Sequence, residues 1–112
     1  MSLTNNWDGF LEAVRDGVVV LAKNTVNDAV SQAQNDAQAF IAKTETRLKR
    51  WGDALADGVI DLDDFEFLVG GQRDLAQLHA LKAIGLAKAQ LERFRQGLIS
   101  LIVTSASEAV GL

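Results

Sequence analysis

A chain of 112 residues is long enough for one core and too short for two separate ones. Apolar residues make up 48% and charged residues 23%, which excludes a disordered or fibrous chain. Fifteen acidic against eleven basic side chains leave a net charge of −4, which argues against nucleic acid as a partner chosen by bulk charge. With no cysteine there is no disulfide, thiolate metal centre or cysteine nucleophile, and with no proline nothing forbids helix anywhere.

The opening stretch, MSLTNNWDGF, lacks the basic and apolar regions of a secretory signal, so a cytoplasmic location is expected. Trp7, Leu11, Val14, Val18 and Leu21 then recur at steps of four and three. After a small phase shift the pattern resumes as Val26, Val30, Ala33, Ala37, Phe40, Thr44, Leu48, Trp51 and Leu55. That period predicts helix from about residue 7 to about 56. Asn5 or Asn6 suits its N-cap, Asp8 its first turn, and Lys43, Arg47, Lys49 and Arg50 its far end. Residues 23–39, an alanine seam among Asn, Gln, Ser and Asp, read as its least stable part.

Asp57-Gly58 is the clearest stop, with Gly58 suited to the left-handed position that closes a helix. Asp61 is a good N-cap for a short helix over about 62–69, with Asp63, Asp64 and Glu66 in its first turn. Its apolar face is Leu62, Phe65 and Leu68 or Val69, and Gly70-Gly71 breaks it. A last helix is predicted from about 72 to about 110, on the stripe Leu75, Leu78, Leu81, Ile84, Ala87, Leu91, Phe94, Leu98 and Leu101. Gly85 and Gly97 inside it mark places of close approach. The apolar run around 96–107 is too short to span a bilayer, which takes roughly 20 apolar residues.

Together these elements predict an all-α chain. Residues 1–112 form one long antiparallel helical hairpin with a short helical corner. Antiparallel counting from that corner sets residues 18–22 opposite 96–100. Both stretches are apolar nearly all round, more than one seam hides. Val18, Val19, Leu21, Leu98, Ile99, Leu101, Ile102 and Val103 are therefore expected to join subunits, a homodimer closing as a four-helix bundle. The expected activity is non-enzymatic, an interaction or scaffold role with a possible protein partner, without cofactor or nucleic acid. Attachment to a lipid or granule surface by the same faces is the alternative, weakened because the polar faces lack the lysines expected of a membrane binder.

The corner resembles an EF-hand calcium loop in the spacing of Asp53, Asp57, Gly58, Ile60, Asp61 and Asp64. It departs at Leu55, where an oxygen ligand belongs, and at Asp64, where the loop carries a glutamate. The resemblance implies Asp53, Asp57, Asp61 and Asp64 as ligands. Capping and a solvated acidic turn account for the same residues. His79 is the only histidine, and no Glu-x-x-His pair, nucleophile elbow or phosphate loop accompanies it. The outline is also similar to the small secreted helical hairpins of the type-VII system, whose Trp-x-Gly motif belongs at the corner. Here Trp7-Asp8-Gly9 stands near the start, the corner reads Trp51-Gly52, and there is no tyrosine for an export motif. Phasins are similar in their long amphipathic helices rich in Ala and Gln.

Overall fold

The computed structural model describes residues 2–112, with all side chains except those of Asp74 and Ala76. Among the described residues it is all helical. The α-helices are α1 (Trp7–Thr25), α2 (Val30–Ala56), α3 (Leu62–Gly70), α4 (His79–Ala83) and α5 (Lys88–Ala109), with one 3₁₀ turn at Arg73–Ala76.

The expected first helix over 7–56 is therefore two helices. Asn27 and Asp28 take left-handed backbone conformations, at φ 55° and 63°, and α2 returns along α1. Asn and Asp are the residues that enter this region at least cost after glycine, because their short side chains compensate locally. The break follows directly on the phase slip of the apolar stripe between Leu21 and Val26. The expected helix over 72–110 is also interrupted. The 3₁₀ turn precedes Leu78, which is left-handed at φ 40°, and Gly85 at φ 75° ends α4 before α5 begins.

The corner follows the expected chemistry closely. At the end of α2 the Val59 amide donates to the Ala54 carbonyl (2.9 Å) and the Gly58 amide to Leu55 (3.2 Å). With Gly58 at φ 75° this is a Schellman closure. Asp61 then caps α3 reciprocally: its Oδ1 accepts from the Asp64 amide (2.8 Å), and Asp64 Oδ2 accepts from the Asp61 amide (3.2 Å).

Four passes along the long axis result. α1 goes up, α2 comes down, the segment of α3, the 3₁₀ turn and α4 climbs back, and α5 descends beside α1. The molecule measures 42 × 23 × 20 Å, its length set by α2, which spans about 40 Å at 1.5 Å per residue. The expected two-helix hairpin is thus replaced by a single chain with four passes, and the third is broken because Gly70-Gly71 and Leu78 interrupt it. α1 and α5 make the longest contact, with residues 18–22 facing 96–100. Leu101 fills the space over Gly17 and Leu21 the space over Gly97. Phe10, Phe65 and Phe94 are fully buried in the core these passes share.

Two tethers hold the passes together. Asp36 on α2 is 8% exposed and accepts from the amides of Ala80 and Leu81, both at 2.9 Å, so it satisfies the free N–H groups that open α4. Asn6 precedes α1 as expected of an N-cap, yet its side chain does not cap the helix. Its Nδ2 donates instead to the Ala109 carbonyl at 3.1 Å and pins the start of α1 to the end of α5. Asp36→Ala leaves the buried Leu81 amide and the part-buried Ala80 amide without partners and should lower unfolding free energy by about 2 kcal/mol in urea titration. Hydrogen exchange should locate the loss at Ala80 and Leu81.

Candidate functional site

The eight residues expected at a subunit contact are largely covered within one chain. Val18, Leu98, Ile99 and Ile102 are buried, Ile99 on the side of α5 that faces α3, and Val19, Leu21, Leu101 and Val103 are half-buried. Leu21 and Leu101 occupy the spaces above the two seam glycines, so this apolar material is largely absorbed by the chain's own packing. Of the valine run, Val20 alone is strongly exposed, at 60%.

The four aspartates of the calcium reading do not converge. Asp53 is turned to the N-terminal segment, Asp57 ends α2, and Asp61 and Asp64 cap α3. Among the described residues no three carboxylates or imidazoles come together in a way that could hold a metal ion. The side-chain oxygens of Asp53, Asp61 and Asp64 accept from backbone amides instead, those of Asp61 and Asp64 as a helix cap.

His79 is exposed, its Nε2 3.3 Å from Gln77 Oε1. Lys43 donates to Gln77 Oε1 (3.2 Å) and Arg47 to Gln72, so these two cations of the basic run tie α2 to the third pass. Lys49 pairs with Glu45 at 2.8 Å and lies 5.0 Å over the Trp7 ring. Trp7 in turn packs against Phe10 with ring centroids 5.0 Å apart, and Trp51 is half-buried against the core. Both tryptophans thus serve packing.

What stays wet and concentrated is the corner. Asp57, Asp61, Asp63, Asp64 and Glu66 are all exposed, and no lysine or arginine occurs between Arg50 and Arg73. Among these carboxylates Val59 stands 76% exposed and Leu62 39%. With Leu55, Ile60 and Leu112 they line a shallow depression of about 660 Å³ whose rim is Asp61, Asp63 and Asp64. The caps position it: the Schellman closure forces Val59 outward, and the Asp61 cap sets the entry of α3 so that Leu62 lies at the edge of the core. The acidity of the corner is legible in the sequence, whereas the exposure of the aliphatic side chains within it is not. The available signal was Val59, an apolar residue in a turn with no place on any helical stripe.

Neighbouring Asp53 has a different task. Burial would raise its pKa, but hydrogen bonds from the Thr4 hydroxyl (2.6 Å) and the Thr4 amide (3.0 Å), a further one from the Leu3 amide and the charge of Lys49 outweigh burial and hold it below the ordinary carboxylate value. The clamp seats Leu3 against Gly52, where a Cβ would collide with the leucine side chain. Since the folded-state pKa is depressed, the carboxylate's contribution to stability is complete above about pH 4 and is lost as pH falls through the folded value. Asp53→Asn should melt about 2–4 °C below the parent at neutral pH, with the gap closing on acidification toward about pH 2. A gap that stays constant across that range would show that the Asp53 charge contributes nothing.

No family model, curated protein or solved structure matches the chain.

Proposed function

We propose that this protein is a non-enzymatic helical interaction module, and that its corner at the end of α2 receives a basic amphipathic segment of a protein partner. The observation that carries the reading is the placement of exposed Val59 and Leu62 within a rim of carboxylates that form no ion pair among the described residues. Apolar side chains give a partner something to cover, and the carboxylates select one that brings lysines or arginines. Aliphatic anchors ringed by charge are the usual division of labour at such contacts, with affinity from the centre and orientation from the rim.

A lipid surface is a poorer occupant. Among the described residues no helix is long and apolar enough to cross a membrane. A corner carrying five exposed carboxylates is also repelled by anionic headgroups. Calcium is poorly served, because the capping bonds of Asp61 and Asp64 would have to break first. Self-association through the eight seam residues would compete with the packing of α1 on α5.

The test is a labelled helical peptide of leucine and lysine followed by fluorescence anisotropy. Binding should be in the micromolar range or weaker and should fall with added salt. Replacing Val59 and Leu62 together by serine should weaken it by at least about tenfold, in line with losing two partly buried aliphatic contacts. Asp61 is left intact so that the cap survives. Affinity that is indifferent both to salt and to the double substitution would remove the proposal.

A further inference from the structure

The return of α2 along α1 leaves a groove of about 380 Å³ lined by these two helices alone. Its floor is apolar: Val14, Val18, Ala37 and Ile41 are buried there, and Leu11 is half-buried. Along α1 the lining runs from Leu11 to Val18, about 10 Å of helix. The groove exists because α2 presents Ala37 and Ala42 to it. Their methyl groups leave space that a longer side chain would fill.

The lip carries one uncompensated charge. Arg15 lines the groove from α1, is exposed, and makes no hydrogen bond or ion pair among the described residues. Glu45, the one acid on the lining, is already engaged by Lys49 at 2.8 Å. Glu12 and Asp16 are close to Arg15 in sequence but lie roughly 130° and 170° around α1 from the face of Leu11, Val14 and Val18, and neither lines the groove. Gln34 and Gln38 add neutral amides from α2.

We infer that this groove binds a small aliphatic carboxylate, its chain laid along Val14, Val18 and Ile41 and its headgroup paired with Arg15. Charge and size both select that class. A guanidinium offers a carboxylate two parallel N–H donors. One cation balances a monoanion, whereas a phosphate dianion calls for more. The volume lies near the lower end of the range for ligand sites, about 300–1,000 Å³, which suits a single chain better than a nucleotide. No aromatic side chain lines the groove among the described residues, so nothing there stacks on a flat ring. The site is separate from the corner and does not depend on what binds there.

Titration calorimetry of the full chain with octanoate, decanoate and decanol, each below the concentration at which it self-associates, tests the inference. Saturable binding at one site is expected. Decanoate should bind about tenfold tighter than octanoate, because two more methylenes are covered. It should also bind about tenfold tighter than decanol, which brings no charge to Arg15. Arg15→Gln should lower decanoate to the affinity of decanol and leave decanol unchanged. Ala42→Leu fills the groove from its exposed lip and should weaken both ligands at least about tenfold. Arg15 and Ala42 are exposed, so both variants should keep the parent's melting temperature, which separates a lost site from a lost fold. Decanol bound as tightly as decanoate overturns the inference, as does the absence of saturable binding. So does decanoate affinity that survives Arg15→Gln or Ala42→Leu at the parental value, or that is lost instead on replacing Val59 and Leu62 by serine.

Discussion

The close approach of α1 to α5 is the constraint on which the remaining architecture rests. Gly17 and Gly97 remove side chains at two points of the seam, and Leu101 and Leu21 fill the spaces from the opposite helix. The exchange is reciprocal, so each helix contributes one hole and one knob and neither can rotate without losing both. Close packing of this kind lets Val18, Leu98 and Ile102 be fully desolvated within a single chain. It also dictates the route of the polypeptide. α1 and α5 are antiparallel neighbours although nearly the whole sequence lies between them, so α2 must come down and a further segment must climb back before α5 can start. The third pass is that return path, and its breaks let a short segment cross from the end of α2 to the top of α5.

Much of this was legible in the residues, and the parts that were not have physical reasons. The apolar periods placed α1, α2 and α5, and the register of 18–22 against 96–100 appears at the seam. Gly58 and Asp61 announced the corner because their chemistry is local: a left-handed glycine and a reciprocal aspartate cap depend on few other residues. The reversal at Asn27-Asp28 was obscured because it uses neither glycine nor proline. Only the phase slip between Leu21 and Val26 betrayed it. Leu78 was illegible in principle, since a buried leucine at positive φ is imposed by tertiary packing against the preference of the residue. The reversal bears on function. With 7–56 as one rod, a single seam cannot cover the apolar runs, whereas α2 folded back along α1 shares that cover within the chain.

The acidic corner shows how one set of side chains can suggest two chemistries. Calcium requires several carboxylates to turn toward one point, whereas helix capping requires each to turn toward its own amide. Asp61 and Asp64 have taken the second course, and Asp53 is engaged by Thr4. Spacing in the sequence does not distinguish these outcomes, because an N-cap and its third residue are separated by the same interval that places two loop ligands. What decides is whether the backbone helix begins inside the interval, and here it does, at Leu62. Once the caps are made, Asp57, Asp63 and Glu66 have no amide to serve and remain as surface charge.

Residues of α3 consequently serve two directions. Leu62 and Phe67 are five positions apart, about 140° around the helix, so the two side chains leave it on different flanks. Phe65 and Val69 anchor α3 on its inner face, while Leu62 and Phe67 stay in solvent. Packing and exposure are therefore divided around the circumference of one nine-residue helix.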